Sequence, residues 1–160
     1  MNFETYKAQV SSLGYSSSKV SQITNLTGED QKLLNGALDY VKESDRILFA
    51  QLDLYSILIL TDHQVILGKI VKPTKGFLTG LLVPSSLNQY KYESVLYSNI
   101  TSVKIKKNPD LMYGQTYDFE LPMRNGEKLR FRGAIYSGQS KSDYQEQAQL
   151  LSSILNQKIM

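Results

Sequence analysis

The feature that most constrains the fold is a pair of apolar runs within residues 55–71, YSILILTDHQVILGKIV. Each run is rich in β-branched residues and is short, which is typical of strands rather than helices. A break of three polar residues, Asp62, His63 and Gln64, separates them. Asp62 suits a turn because its side chain can accept hydrogen bonds from nearby backbone N–H groups. The segment therefore predicts an antiparallel β-hairpin.

Strand signals extend on both sides of this hairpin, from Arg46 to about Gly133. RILFAQLDL precedes it, and SVLYSNITSVKIKK predicts two strands joined by a kink at Ser98-Asn99. QTYDFELPMRNGEKLRFRGA predicts another hairpin, with a type I′ turn at Asn125-Gly126. The middle of the chain therefore predicts about six or seven antiparallel strands.

The first 44 residues instead predict helices. LTGEDQKLLNGALDYVKES has Thr27 as an N-cap and an apolar stripe at helical spacing, formed by Leu33, Leu34, Ala37, Leu38 and Val41. Residues 3–12 predict a second, weaker helix, and the serine-rich GYSSSKVS is interpreted as a connector between the two. The stripe must bury against the strands or against another subunit.

One amphipathic helix is predicted at the C-terminal end. Ser142 and Gln145 resemble a capping box. The apolar stripe that follows consists of Tyr144, Ala148, Leu150, Leu151, Ile154 and Leu155. A bent sheet needs its open end covered, and a terminal helix is one way to cover it. The fold class is therefore α+β, mainly β.

Composition narrows the classes of function. A length of 160 residues fits one core-forming domain. The chain has no cysteine, which excludes disulfides, thiolate zinc sites and a cysteine nucleophile, and suits a cytoplasmic location. The N-terminus lacks the apolar region of a signal peptide, and no apolar run is long enough to span a bilayer.

No catalytic or metal-binding set is predicted. His63 is the only histidine, so any serine triad or histidine-based metal site would depend on it. GKIVKPTKG lacks the spacing of a phosphate-binding loop. Asp118 and Glu120 share a strand face, which is typical of a solvated surface rather than of a carboxylate pair. We therefore expect a protein that is not an enzyme and that needs no cofactor.

Positive charge is concentrated in residues 69–107, where seven lysines accompany Glu93 alone. In TSVKIKK, Lys104 and Lys106 alternate with Val103 and Ile105, so the two lysines should share one strand face. A candidate basic binding face comprises Lys69, Lys72, Lys75, Lys104, Lys106 and Lys107. Such a face suits anionic lipid or, with interleaved tyrosines, single-stranded nucleic acid. Lysines that protect a sheet edge would give the same pattern.

The longest predicted connection, residues 73–90, contains the apolar run FLTGLLV. The run could form one further short strand with its side chains in the core. It could instead be an exposed loop that contacts a partner or a membrane surface, in which case the contact residues would be Phe77, Leu78, Leu81 and Leu82.

Two segments resemble those of the bacterial pleckstrin-homology-like domains. ILILTDHQVILGK is similar to a hairpin of that family in which an apolar strand ends in Thr-Asp before a polar turn. YESVLYSNITSVKIKK is similar to a second signature, in which an Asn-Ile-Thr-Ser run leads into a strand. The resemblance covers about residues 45–157 and is closest to the YokE-like branch. His63-Gln64 departs from the family, in which many members have Lys or Arg after the turn acid.

The resemblance implies a partly open antiparallel barrel of about seven strands, capped by the C-terminal helix. It divides the chain into a helical extension, residues 1–44, and a pleckstrin-homology-like domain, residues 45–160. It also implies a binding module with a protein partner, through an edge strand or a groove beside the helix. Anionic lipid is the first alternative and nucleic acid the second. A second copy of the chain is a further expected partner.

Overall fold

The computed structural model describes residues 1–53, 55–71, 88–110, 114–132 and 141–160. Two compact units are formed. The first contains residues 1–61 and 65–94, and the second contains residues 62–64 and 95–160.

The first unit begins with three helices: α1 (Phe3–Ser11), α2 (Ser17–Thr24) and α3 (Gly28–Leu38). The predicted helices in residues 3–12 and after Thr27 are confirmed, although the Thr27 side chain makes no cap hydrogen bond. The prediction of a connector at GYSSSKVS is wrong, because this segment contains most of α2. The Ser16 side chain caps α2 by accepting a hydrogen bond from the Lys19 backbone N–H, and Ile23 is buried.

A four-stranded sheet follows, in the order β1 (Ile47–Asp53), β2 (Ser56–Thr61), β3 (Gln64–Val71) and β4 (Gln89–Leu96). The predicted hairpin is confirmed, since β2 and β3 pair antiparallel with Ile59 opposite Ile66. Nearly every residue of β1 and β2 is buried, which agrees with their continuous apolar sequences. By contrast, β4 alternates between half-buried and exposed residues.

The three N-terminal helices pack on this sheet: α1 and α2 contact β1, and α3 contacts β2. The α3 residues Leu33, Leu34, Ala37 and Leu38 are buried in this way. The apolar stripe found in the sequence is therefore covered within the first unit and does not need another subunit.

A lysine is buried at one of these contacts. Lys19 of α2 is 7% exposed. Its Nζ lies 3.6 Å from the ring centroid of Tyr15 and 5.3 Å from that of Phe49 in β1. The Tyr15 hydroxyl accepts a hydrogen bond from the Ala50 backbone N–H over 3.4 Å. Burial lowers the pKa of the Lys19 ammonium from 10.5 to about 8.

The second unit contains a 3₁₀ turn at Tyr97–Asn99, where the kink was predicted. A three-stranded antiparallel sheet follows, in the order β5 (Lys104–Asp110), β6 (Gly114–Pro122) and β7 (Lys128–Arg132). The hairpin between β6 and β7 is confirmed, but its type I′ turn is wrong. Within this turn the residue with a positive φ is Gly126, at 86°. Its N–H donates to the Met123 carbonyl, while the Met123 N–H donates to the Glu127 carbonyl. This pattern is a type I turn followed by a glycine bulge.

The C-terminal helix α4 (Lys141–Ile159) contacts β6 and the 3₁₀ turn, as expected of a covering helix. Its Leu151 and Leu155 are buried, whereas Leu150 is 42% exposed. The predicted capping residue Ser142 has a side chain outside the described part of the structure. In the three-stranded sheet, the rings of Phe119 and Phe131 stack at 5.2 Å between centroids.

The predicted α+β class is confirmed. Within the described residues the chain forms seven strands in two antiparallel sheets, together with four helices including one at the C-terminal end. The pairings of the described strands do not join the two sheets into a closed barrel.

Candidate binding face on the three-stranded sheet

The antiparallel register of β5, β6 and β7 aligns charged residues in rungs across the sheet. Glu120 of β6 lies between Lys104 of β5 and Arg130 of β7. One rung further along, Asp118 lies between Lys106 and Arg132. Side chains two residues apart on a strand point to the same face. These residues therefore form one surface, the charged face, whose members are Lys104, Lys106, Asp118, Glu120, Lys128, Arg130 and Arg132.

The two carboxylates of the charged face are held by β7. Glu120 accepts from Arg130 Nε at 3.0 Å and pairs with Lys128 Nζ at 3.2 Å. The hydrogen bond from Lys128, together with the nearby positive charges, holds the pKa of Glu120 below its usual value. Asp118 pairs with Arg132 Nε at 3.1 Å and also accepts from the Asn108 amide. The carboxylates are thus fixed in position between the strands.

The lysines of β5 are arranged differently. In the described part of the chain, neither Lys104 nor Lys106 has a carboxylate within ion-pair distance, although each lies opposite one in the register. Both side chains are exposed. Five cations against two carboxylates leave the charged face positive, and the positive charge without an ion pair lies along β5. Residues of all three strands line an open cleft of about 600 Å³, and six of them belong to the charged face.

Among the described strands, β5 is also an outer strand of its sheet, and its side chains are exposed on both faces. Lys104 and Lys106 are exposed on the charged face, while Ile105 and Lys107 are exposed on the opposite face. Ile105 is 41% exposed, which is high for an isoleucine in a strand. In β7, the other outer strand, exposed and buried residues alternate. Among the described strands of this sheet, β5 is therefore the one with its side chains open on both faces.

The residues of the predicted basic face that the structure describes belong to two strands, β3 and β5. Lys104 and Lys106 share the charged face, as their alternation predicted. Lys107 lies on the other side of the sheet, with its Nζ 6.0 Å from the ring centroid of Tyr117. Lys69 is in β3 of the first unit. Lys72 and Lys75 lie outside the described residues, as does the predicted apolar loop of Phe77, Leu78, Leu81 and Leu82.

His63 lies on the turn between β2 and β3, as predicted. Its side chain is 65% exposed, and its Nε2 lies 3.6 Å from a carboxylate oxygen of Asp62. Its carbonyl accepts a hydrogen bond from the Tyr97 N–H at 3.4 Å. An exposed imidazole beside a carboxylate of the same turn is ordinary turn chemistry and is not by itself a catalytic arrangement of nucleophile, base and orienting group.

Sequence reasoning did not include Lys128, Arg130 and Arg132 in the basic face. The excess of positive charge in the sequence lies in residues 69–107, which end before β7 begins. The signal that could have found them is the Asn125-Gly126 hairpin. That hairpin places β7 beside β6, so the two arginines lie next to Glu120 and Asp118.

None of the helices in the described ranges is both long and apolar enough to cross a membrane. No protein-family model matches the sequence, and no curated protein matches it. Two solved bacterial structures are similar to the chain. One is a pleckstrin homology domain from Shewanella amazonensis SB2B, with a TM-score of 0.46 and 14% identity over 80% of this chain and 96% of that one.

The second similar structure is a DUF1696 family protein with a pleckstrin-homology domain from Shewanella loihica PV-4. Its TM-score is 0.45, with 15% identity over 81% of this chain and 92% of that one. The structural neighbours of the chain are thus bacterial proteins with pleckstrin-homology domains, and neither description states a ligand.

Proposed function

We propose that this chain is a non-catalytic binding module and that its charged face contacts a protein partner. The observation that carries the proposal is the fixed arrangement of charge on that face. The carboxylates of β6 form a negative column along that strand, and the cations of β5 and β7 form a positive column on each side of it. Exposed and ordered charges of both signs are suited to selecting a partner with the complementary pattern.

The same arrangement is less suited to a uniform polyanion. Phosphates of a nucleic acid or of a lipid surface would meet Asp118 and Glu120 at the centre of the face, and like charges at close range disfavour binding. A protein partner can place carboxylates near the β5 lysines and neutral or basic groups over the β6 carboxylates. A protein therefore fits the whole face, whereas lipid and nucleic acid fit only its outer columns.

We further propose, from the resemblance of the sequence, that residues 45–160 form a pleckstrin-homology-like domain of the YokE-like branch and that residues 1–44 are its helical extension. The absence of cysteine supports a reducing, cytoplasmic location. These proposals do not depend on the charged face and would stand even if that face bound no protein partner.

The proposed function is tested by affinity purification of the tagged full chain from its native host, with nuclease and mild detergent present. Wild type is compared with K104E/K106E, which reverses the unpaired charge of the face. The matched control is K32E/K42E, which makes the same charge change at two exposed lysines of the first unit. We expect one protein to copurify in a fixed ratio with wild type and with the control, and to be lost with K104E/K106E.

Two results would count against the proposal. Retention of the protein by K104E/K106E would show that the partner binds elsewhere. Binding to anionic vesicles or to single-stranded oligonucleotides that falls steeply with salt, with no protein retained, would show that the lysines act on a polyanion.

A further inference from the structure

The outer edge of β5 combines two properties that point to one kind of ligand. An outer strand has backbone N–H and C=O groups that do not pair within its own sheet and can pair with an added strand. The side chains of β5 also alternate in chemistry: Lys104 and Lys106 on the charged face, and the exposed Ile105 on the opposite face. An added strand would therefore meet cations on one face and an apolar side chain on the other.

We infer that β5 receives an extended acidic segment of a partner protein, in which carboxylates alternate with apolar residues in the order acid–apolar–acid. This inference rests on the proposed protein-binding function and specifies the partner. In a strand pair, directly opposite side chains have Cβ atoms about 5 Å apart and interact. Two acids two residues apart would thus lie opposite Lys104 and Lys106, and the apolar residue between them would cover Ile105.

The neighbouring carboxylates explain why these lysines are open to a partner. Asp118 and Glu120 lie next to them in the register, but the ion pairs of these carboxylates are with Arg132, Arg130 and Lys128 on the far side. The ammonium groups of β5 are therefore left for a carboxylate that arrives from outside the sheet. A partner strand at the β5 edge supplies that carboxylate without displacing an existing ion pair.

The competing explanation is that the lysines only protect the edge from aggregation, a common use of lysine on outer strands. Pro109, which removes one backbone donor from β5, agrees with that explanation. The two explanations differ in what they predict for charge. An edge that is only protected from aggregation needs charge of either sign. An edge that binds an acidic segment needs positive charge at positions 104 and 106.

The test uses fluorescein-labelled heptapeptides and fluorescence anisotropy with the purified full chain. The first peptide has a Glu-Val-Glu centre flanked by threonines, the second a Lys-Val-Lys centre and the third a Glu-Glu-Val centre. We expect wild type to bind the Glu-Val-Glu peptide at least about tenfold more tightly than either of the others. In K104E/K106E the preference should reverse toward the Lys-Val-Lys peptide.

Two controls keep the test decisive. K104E/K106E places acids opposite Glu120 and Asp118, so K104Q/K106Q is measured in parallel and should lose the charge preference while keeping the wild-type circular dichroism spectrum. A Glu-Val-Glu peptide that is N-methylated at alternate backbone nitrogens, on the edge facing β5, should lose binding because it cannot donate to the strand.

Equal affinity of wild type for the three peptides would overturn the inference, as would undiminished binding of the N-methylated peptide. If a partner protein is captured through the charged face but the peptides show no preference, the strand-pairing inference fails and the proposed function stands. If no captured partner depends on positions 104 and 106, the proposed function fails, and the strand-pairing inference fails with it.

Discussion

Replacing Lys19 with methionine should stabilise the protein near neutral pH. The ammonium is 7% exposed and lies beside the rings of Tyr15 and Phe49. It also lies in the first turn of α2, where the helix dipole disfavours a cation. Methionine keeps an unbranched side chain of similar length and helix propensity but removes the charge.

The magnitude follows from the pKa of Lys19. A pKa lowered from 10.5 to about 8 means that folding disfavours the ammonium by about 3 kcal/mol. Attraction between the ammonium and the two rings offsets about 0.5–2 kcal/mol of this cost. We therefore expect Lys19→Met to raise the free energy of unfolding by about 2 kcal/mol at pH 7.

The lowered pKa of Lys19 also determines whether stability rises or falls with pH. Because the folded pKa lies below the unfolded one, the unfolded chain binds more protons between about pH 8 and pH 10.5, and wild-type stability rises with pH in that window. The gap between Lys19→Met and wild type should therefore narrow by about 1–2 kcal/mol between pH 7 and pH 9.5. Measurements stop at pH 9.5 because two tyrosines would affect stability above it. Burial raises the pKa of Tyr15 to about 12 and also raises that of Tyr6. These tyrosines therefore ionise first in the unfolded chain, and their ionisation lowers the stability of the folded protein.

The assay is urea denaturation of wild type, Lys19→Met and Lys32→Met at pH 7, 8, 9 and 9.5. Lys32 is exposed on α3, so its replacement should leave the pH slope unchanged and serves as the matched control. Parallel pH slopes for wild type and Lys19→Met would refute the reasoning, as would a less stable Lys19→Met at pH 7.

Three further results are expected, each measured by chemical denaturation. Gly68→Ala should lower the free energy of unfolding by about 1–3 kcal/mol, because a Cβ there would lie 2.8 Å from a ring carbon of Tyr92. If Gly68→Ala costs as much stability in a Tyr92→Ala background as in wild type, the contact with Tyr92 is not the cause. Phe119→Ala should cost about 3–5 kcal/mol, since the ring is 1% exposed and stacks on Phe131, and a loss under about 1 kcal/mol would show that the ring is not part of the core. His63→Ala should change stability by less than about 0.5 kcal/mol and leave partner capture intact; loss of capture would give the turn a binding role.

The position of α2 shows where the sequence was insufficient. GYSSSKVS has three consecutive serines and only one large apolar residue, so its helical signal is weak. Serine competes with the backbone for hydrogen bonds and favours caps over helix interiors. Packing outweighs this propensity here, because Ile23 and the stem of Lys19 bury against the neighbouring elements.

The type of the turn before β7 was also predicted wrongly from the sequence. Asn-Gly between strands predicted the hairpin correctly, because both residues tolerate turn conformations. The turn type depends on how the strands meet. The Met123 N–H donates to the Glu127 carbonyl, so three residues, 124–126, connect the strands, one more than a type I′ turn holds.

The sequence alone determined the α+β class, the strand-rich middle, the β2–β3 hairpin and the two amphipathic helical ends, because periodicity and turn chemistry are local properties. It also determined that Lys104 and Lys106 share a face. Only the tertiary structure placed Arg130 and Arg132 across from those lysines, with Asp118 and Glu120 between them. Strand register is a long-range property, set by which side chains pair across the sheet, and it is this register that turns separate charges along the chain into a single binding face.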